Sequence, residues 1–273
     1  MPLPSMRGAA VPSATAAPML AFTGVHKRFD YGTVALAEVY LGVAPGEFVS
    51  VVGPSGCGKS TLLRIAADLI APTDGMVEVR ASKIGYVFQD PTLLPWRTVQ
   101  ANVELLVELH GLPRDERRRR ADEAIKLVGL GEFTQHRPRA LSGGMRMRVS
   151  LARSLTLQPE LFLFDEPFVS LDEITRQRLN DELLQLFLTQ QFTALFVTHS
   201  VTEAVFMSTR VVVMSDRPGR VLGDFPVPFE YPRPPRLRFD EEFAQLAGEV
   251  SACLRGGNQG ANQASPAEGG RHR

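Results

Sequence analysis

Short apolar runs alternate with amphipathic segments along most of the chain. The runs that predict β-strands lie at 19–29, 37–43, 48–52, 76–80, 83–88, 161–164, 192–198 and 210–215. Apolar residues at helical spacing predict helices at 61–70, 172–190, 201–207 and 240–254, and the stretch 98–158 is mainly helical in pattern. Strands that alternate with helices predict a parallel sheet covered on both faces. The fold class is therefore α/β.

A glycine-rich stretch connects the strand at 48–52 to the helix that follows it. It matches the phosphate-binding loop pattern G-x-x-x-x-G-K-S/T at every required position. Its glycines allow successive backbone N–H groups to point at phosphate oxygens, and the helix adds the positive end of its dipole. The residues expected to contact a nucleoside triphosphate are Gly53, Pro54, Ser55, Gly56, Cys57, Gly58, Lys59, Ser60 and Thr61.

Two residues of this loop have specific expected roles. Lys59 should reach the β- and γ-phosphates, and the hydroxyl of Ser60 should ligate Mg²⁺. Cys57 is expected to be only a small residue beside the nucleotide. The sequence therefore predicts binding of ATP or a related triphosphate together with Mg²⁺.

The composition argues against several classes of protein, among them nucleic-acid-binding, disulfide-rich and membrane-spanning proteins. The 273 residues carry 30 basic and 30 acidic side chains, so the globally basic footprint of a nucleic-acid-binding protein is absent. The two cysteines are too few for a disulfide framework or a zinc site. No apolar run is long enough to span a bilayer.

The two ends of the chain differ in composition from the middle. Residues 1–18 are rich in Ala, Pro and Ser and predict a flexible tail rather than a signal peptide. Residues 228–254 predict a proline-rich linker followed by a helix, and 255–273 predict a disordered tail. The ATPase domain is assigned to 19–227.

Four polar side chains stand at the carboxyl ends of predicted strands, the edge at which open α/β sheets bind ligands. Asp165 is suited to hold Mg²⁺, and Glu166 to polarise the attacking water as a general base. The amide of Gln89 could reach Mg²⁺ or that water, and His199 could donate a hydrogen bond to the γ-phosphate. Each of these residues alone would be an ordinary polar residue at the end of a strand. The phosphate loop upstream is what indicates a role in catalysis.

A helix begins at Ser142-Gly143-Gly144. Ser142 is a natural N-cap, and the glycines expose N–H groups at the helix terminus. By itself this pattern indicates only a cap.

Together these stretches resemble the ATPase subunit of an ATP-binding cassette (ABC) transporter. The phosphate loop, Gln89, Leu141-Ser-Gly-Gly144, Phe164-Asp-Glu-Pro167 and His199 occur in that family's order. The resemblance implies a RecA-like P-loop NTPase core with a mixed, mostly parallel sheet. It also implies an N-terminal antiparallel β part and an inserted α-helical subdomain at about 98–158.

The resemblance implies further site residues and a homodimer. Ser142, Gly143 and Gly144 would contact ATP held by the opposite subunit of a head-to-tail pair. Asp172 would lie in the loop that communicates across that dimer, and Phe29 corresponds to the aromatic that stacks on adenine. The chain departs from the family at Met145, Met147 and Asp68, which leaves the phosphate ligands and the base in place.

Within the family, the nitrate, sulfonate and taurine importer branch is the most similar. The similarity rests on Phe164-Asp-Glu-Pro-Phe168, Ser170-Leu-Asp172 and Met214-Ser-Asp-Arg-Pro-Gly-Arg220. It implies two membrane permease subunits, an extracytoplasmic solute-binding protein, a peripheral location at the cytoplasmic face of a bacterial inner membrane, and no nucleic-acid partner. Trp96, in Leu93-Leu-Pro-Trp96, is a candidate permease contact.

Three alternatives remain open at this point. The solute could be another small organic molecule, such as a thiamine-precursor pyrimidine. The chain could be a soluble cassette ATPase that acts on nucleic acid or ribosomes without a permease, or a regulatory module without useful hydrolysis. Balanced charge disfavours the second alternative, and the presence of Glu166 and His199 disfavours the third.

Overall fold

The computed structural model describes residues 17–262. Within that range the strands are β1 (Leu20–Arg28), β2 (Val34–Val43), β3 (Phe48–Val52), β4 (Asp74–Val79), β5 (Ile84–Val87), β6 (Leu161–Asp165), β7 (Thr193–Thr198), β8 (Arg210–Met214) and β9 (Val221–Pro226). The helices are α1 (Lys59–Ala66), α2 (Val99–Leu109), α3 (Arg114–Leu127), α4 (Gly143–Leu155), α5 (Glu173–Gln190), α6 (Val201–Met207) and α7 (Glu241–Asn262).

The central sheet has the strand order β5-β6-β7-β3-β8-β9. Its first five strands run parallel, and β9 pairs antiparallel with β8 at the edge. Every residue of β3, β6 and β7 is buried, as expected for strands covered by helices on both faces. The predicted mixed, mostly parallel sheet is confirmed.

A second, antiparallel sheet is formed near the start of the chain in the order β2-β1-β4. Its buried side chains, including Leu20, Phe22 and Leu36, share one apolar cluster with Leu62 and Leu63 of α1. This sheet therefore packs over the helix that follows the phosphate loop, and the predicted N-terminal antiparallel part is confirmed.

Helices α2, α3 and α4 pack against one another between β5 and β6 in the chain. The basic run of α3 lies on a solvated face, where Arg119 and Arg120 pair with Glu116. The helical insertion is therefore present as the sequence predicts, and its charge run needs no ligand.

Helix α1 is shorter than its apolar pattern predicts. It ends at Ala66, and Asp68 adopts a left-handed φ of 56° just after it. That conformation is easiest for glycine and tolerated by aspartate, so it stops the helix before the apolar residues Leu69 and Ile70. The departure at Asp68 from the family's usual glycine is thus a change at a helix terminus.

The proline-rich stretch after β9 is packed onto the domain, which corrects its assignment as a linker. The guanidinium of Arg233 is buried and donates to the carbonyls of Val205 and Phe206 at 3.0 and 2.7 Å. The hydroxyl of Tyr231 donates to the carbonyl of Met207 at 2.6 Å. These are terminal carbonyls of α6 that lack a partner within the helix, so this segment caps α6.

Helix α7 continues to Asn262, beyond the predicted end at Leu254 and into the stretch assigned to a disordered tail. Phe243 and Val250 are buried against the domain and anchor the helix. Once a helix is nucleated, each further residue costs little, so poor helix formers can extend it. The predicted tail residues 263–273, and residues 1–16 of the predicted N-terminal tail, lie outside the described residues.

Strand β9 has no counterpart among the predicted strands. Its residues alternate between half-buried and exposed, and it contains both Gly223 and Pro226, so its apolar pattern is weak. It forms by pairing with β8. In the part of the chain that the structure covers, no helix is both long and apolar enough to cross a membrane.

Candidate active site

The carboxyl ends of three neighbouring strands bring the candidate residues together. The phosphate loop follows β3, Asp165 ends β6 and is followed by Glu166, and His199 comes directly after β7. Since β7 lies between β3 and β6 in the sheet, these segments meet at one edge. This is the edge at which the sequence predicts a ligand.

The phosphate loop depends on two glycines with left-handed backbone. Gly56 and Gly58 have φ values of 78° and 108°. A Cβ on Gly58 would lie only 2.7 Å from the carbonyl oxygen of Ala35 in β2. Gly53 does not need a left-handed φ, but its Cβ would lie 2.8 Å from the Sγ of Cys57.

Cys57 itself faces the protein interior. Its side chain is fully buried in the cluster beneath the antiparallel sheet, and burial raises the pKa of its thiol. The sequence predicts that Cys57 is only a small residue beside the nucleotide. The observed position is consistent with this role, because the side chain packs away from the cleft.

Lys59 is buried and aimed along the loop. Its ammonium donates to the carbonyls of Gly53 and Pro54 at 2.8 and 3.0 Å and lies 3.4 Å from Oε1 of Glu166. With only 4% of the side chain exposed, the charge is held by these partners rather than by water. The site thus carries a fixed positive charge beside the candidate base.

Ser60 and Asp165 present two oxygens to the same point. The hydroxyl of Ser60 donates to Oδ1 of Asp165 at 2.7 Å, and the hydroxyl of Tyr86 donates to Oδ2 at 3.2 Å. Burial and the carboxylate of Asp165 raise the pKa of Tyr86, which keeps it a neutral donor. Hydroxyl and carboxylate oxygens are the ligands that Mg²⁺ prefers, so this donor set fits that ion.

Glu166 and His199 face each other across the cleft. Nδ1 of His199 lies 3.4 Å from Oε2 of Glu166. The carboxylate is 16% exposed and the imidazole 43% exposed, so water can reach both. Glu166 has a left-handed φ of 45°, an uncommon backbone conformation for a non-glycine residue, as found at many functional sites.

Gln89 lines the same cleft as Lys59, Ser60 and Glu166. The loop after it is held by Arg153 of α4, whose guanidinium donates to the carbonyls of Pro91 and Thr92 at 3.0 and 3.1 Å. Thus the loop that follows Gln89, the candidate ligand of Mg²⁺ or of the attacking water, is hydrogen-bonded to the helical insertion.

Tyr31 and Arg217 are among the residues of the cleft that were not predicted from the sequence. Tyr31 stacks on Phe29 with ring centroids 5.6 Å apart and an angle of 1°, and it is 77% exposed. Arg217 donates from Nε and Nη2 to the carbonyl of Gly56 at 3.0 and 2.8 Å. Tyr31 could have been predicted, because it is an aromatic residue two positions after Phe29. Arg217 could not, because its contact with Gly56 joins distant parts of the chain.

Ser142 and Gly144 do not line this cleft, whereas Gly143 lines the adjoining cavity together with Ser60, Gln89 and Asp165. Ser142 caps α4 by accepting from the N–H of Met145 at 3.3 Å, as predicted. Gly144 packs against Thr175 of α5, and Asp172 caps that helix by accepting from the N–H of Thr175 at 3.0 Å. Gly143 therefore faces a cavity that it shares with Ser60 and Asp165 of its own chain, whereas Gly144 is buried in α4.

Comparison with known proteins agrees with this geometry. The sequence model of the family described as ABC transporter matches residues 36–169. The nitrate import ATP-binding protein NrtD of Synechocystis sp. is 40% identical over 236 residues, which cover 82% of this chain and 89% of NrtD.

The chain belongs to the ABC transporter family.

Two further similarities place it within that family's ATPases. The bicarbonate transport ATP-binding protein CmpC of Synechococcus elongatus is 44% identical over 216 residues, 76% of this chain and 32% of CmpC. A dimeric ATP-binding cassette solved in a post-hydrolysis state with ADP and Pi aligns with a TM-score of 0.69 and 33% identity. That alignment covers 77% of this chain and 100% of the solved one. This member of the family is an ATPase subunit with a P-loop NTPase fold, so the predicted family, fold and activity are confirmed.

Proposed function

We propose that this chain hydrolyses ATP as the motor subunit of an importer for a small solute, an inorganic or organic anion such as nitrate, a sulfonate or taurine. The observation that carries the hydrolytic role is the cluster at the sheet edge. There Lys59 lies 3.4 Å from one oxygen of Glu166, and His199 lies 3.4 Å from the other. One carboxylate between a lysine and a histidine, beside a phosphate loop, suits attack of water on a γ-phosphate.

Each residue has a distinct part in the proposed step. Glu166 polarises a water and takes its proton as the water oxygen bonds to the γ-phosphorus. The bond from that phosphorus to the β–γ bridging oxygen breaks, and ADP leaves with that oxygen. Lys59 and the N–H groups of the loop stabilise the charge on the phosphate oxygens, and His199 donates to the γ-phosphate.

Magnesium would be held by the oxygens of Ser60 and Asp165, with Gln89 able to approach from the other wall of the cleft. The 2.7 Å contact between Ser60 and Asp165 supports this assignment. The bound ion would neutralise charge on the β- and γ-phosphates. Tyr86 would orient Asp165 through its second oxygen.

The position of Ser142 supports a homodimer. Ser142 is exposed and does not line the nucleotide cleft of its own chain, so the N–H groups at the start of α4 would serve the ATP of a second copy. ATP would then hold two chains head to tail, and hydrolysis would remove the bridge. The dimeric state of the solved cassette with ADP and Pi supports this arrangement.

The transport role rests on relatives. NrtD and CmpC are named for import of nitrate and transport of bicarbonate, both small anions. We therefore assign this chain to the cytoplasmic face of a bacterial inner membrane, bound to two permease subunits that receive solute from a binding protein. The exposed Trp96, 67% accessible and seven positions after Gln89 in the chain, is the proposed permease contact.

The deciding experiment is affinity isolation of the full chain from detergent-solubilised membranes of its native cell, followed by identification of the proteins bound to it. Co-purification of a multi-span permease is the expected result. Uptake of labelled nitrate, bicarbonate, taurine and a pyrimidine by cells lacking this chain would then identify the solute. Recovery only from the soluble fraction, with ribosomes or nucleic acid attached, would overturn the importer assignment.

A further inference from the structure

A buried carboxyl group lies directly behind the histidine of the site. Glu203 is in the first turns of α6, 7% exposed, and the hydroxyl of Thr198 at the end of β7 donates to it. Ordinary buried carboxylates are paired with a cation or several donors. Here the donor is the uncharged hydroxyl of Thr198, and the proposed hydrolytic mechanism does not use this group.

Hydrogen bonds enclose the backbone on both sides of His199. The N–H of Ser200 donates to the hydroxyl of Thr198 at 3.1 Å, and the N–H of Glu203 donates to the hydroxyl of Ser200 at 3.3 Å. Together with the contact from Thr198 to Glu203, these bonds tie the residues before and after His199 to one buried carboxyl. The backbone of His199 therefore has little freedom to move unless this cluster opens.

The same carboxyl faces α5. The side chain of Asn180, 3% exposed, lies beside it, and Arg176 and His199 are the charged or titratable groups near it. Helix α5 begins at its cap Asp172, the residue expected at the dimer interface. Glu203 thus bridges the helix that starts at Asp172 and the loop that carries His199.

Two oxygens in this cluster lack a partner. Among the described residues, Oε1 of Glu203 and Oδ1 of Asn180 are buried and accept no hydrogen bond. Burial raises the pKa of Glu203, against weaker opposing effects of Thr198, Asn180, Arg176 and His199. Asn180 lies beside the Glu203 carboxyl, so both unpartnered oxygens belong to this one buried cluster.

We propose that Glu203 is a positioning residue for hydrolysis. It holds His199 against Glu166 through Thr198 and Ser200, and it transmits the position of α5 to that pair. Glu203 does not touch the nucleotide, so its loss should lower turnover and leave ATP affinity unchanged. The inference rests on the proposed roles of Glu166 and His199.

The test compares kcat and nucleotide affinity for variants of the full chain. Glu203→Ala and Thr198→Val each break the enclosure of His199, and we expect kcat to fall by at least about tenfold because small misplacements of a reacting group are costly. The Kd for ATP should stay within about twofold. Glu203→Gln keeps an acceptor for Thr198 and the shape of the side chain, so it should retain kcat within about threefold.

Ser208→Ala is the matched control. Ser208 is buried at the other end of α6, where its hydroxyl donates to the carbonyl of Ala204 at 2.6 Å and accepts from the hydroxyl of Ser50. It has no link to His199, so kcat should be unchanged. Equal losses in Ser208→Ala and Thr198→Val would show a general effect of loosening α6 and overturn the proposal.

Failure of this inference is separable from failure of the proposed function. If Glu166→Gln abolishes hydrolysis while Thr198→Val and Glu203→Ala leave kcat unchanged, Glu203 is not a positioning residue and the active site stands. If Glu166→Gln has no effect on turnover, the assignment of the base fails and this proposal fails with it.

Discussion

The hydroxyl of Ser60 donates to Oδ1 of Asp165 across 2.7 Å, although 105 positions separate the two residues in the chain. Ser60 lies in the first turn of α1 after the phosphate loop, and Asp165 ends β6. Strand β7 lies between β3 and β6, so the contact spans the site at the level where the strands end. Two oxygens suited to one cation are therefore already in place.

Replacing Ser60 with Ala should weaken binding of ATP only when Mg²⁺ is present. Loss of one ligand should raise the Kd of MgATP by about tenfold, because an interaction with a charged group is worth roughly 1.5–3 kcal/mol. Equilibrium titration with a fluorescent ATP analogue, with Mg²⁺ and then with a chelator, measures this difference. Ser251→Ala, which removes a hydroxyl that donates to the carbonyl of Ala247 in α7, is the control. Equal weakening with and without Mg²⁺ would remove Ser60 from the metal site.

Glu166→Gln should bind ATP and turn it over about 100-fold or more slowly, since a positioned general base contributes roughly that factor. With hydrolysis blocked, the dimer should accumulate when ATP is added. Phosphate release and light scattering after size-exclusion chromatography measure the two effects. Glu132→Gln, a change at an exposed residue of a short 3₁₀-helix, should leave both unchanged. Near-normal turnover by Glu166→Gln would refute the assignment of the base.

Gly58→Ala should abolish nucleotide binding, because the new Cβ would stand 2.7 Å from the carbonyl of Ala35 and the φ of 108° is strained for alanine. Gly46→Ala provides the comparison, since Gly46 also has a left-handed φ, of 74°, but a Cβ there meets nothing within 4 Å. That variant should lose about 1 kcal/mol of stability and keep its affinity for ATP. Thermal unfolding and nucleotide titration separate the two outcomes. Normal binding by a folded Gly58→Ala would contradict the proposed loop geometry.

Motifs whose chemistry is local were predictable, and long-range partners were not. The phosphate loop, the Asp165-Glu166 pair and His199 each follow an apolar strand, so their common edge could be inferred from the pattern of the chain. Arg217 contacts Gly56 across 161 positions, and Arg233 contacts Val205 from a proline-rich stretch. The residues around an arginine in the sequence do not show whether its side chain is exposed or contacts a distant part of the chain, so neither contact could be predicted.

Trp96→Ala should uncouple hydrolysis from transport. Trp96 is 67% exposed, so its removal leaves no cavity, and the fold and the basal ATPase rate should persist. Solute uptake by cells carrying the variant, at equal protein abundance, should fall by at least about tenfold, as for a large aromatic at the centre of an interface. Leu109→Ala removes another exposed apolar side chain, on the far end of α2, and is the comparison. Unchanged uptake by Trp96→Ala would exclude the residue from the permease contact.

Stability should fall above about pH 10 through Tyr231. Burial raises the pKa of Tyr231 to about 12, so between its ordinary value of about 10 and that value the unfolded chain releases a proton that the native chain keeps. The stabilisation is complete below that range and is lost as pH rises through it, by about 1–3 kcal/mol. Urea unfolding of the wild type and of Tyr231→Phe from about pH 9 to 12 measures it. The stability difference between the two should shrink with rising pH, and a constant difference would refute the shift.

The cap on α6 limits how far this protein can be shortened for laboratory use. A version that stopped at Val227 would keep every residue of the site, yet it would lose Tyr231 and Arg233. The terminal carbonyls of Val205, Phe206 and Met207 would then lie uncovered beside newly exposed apolar surface. Such a fragment should aggregate during expression, so the boundary of a usable catalytic unit lies beyond the last strand and includes α7.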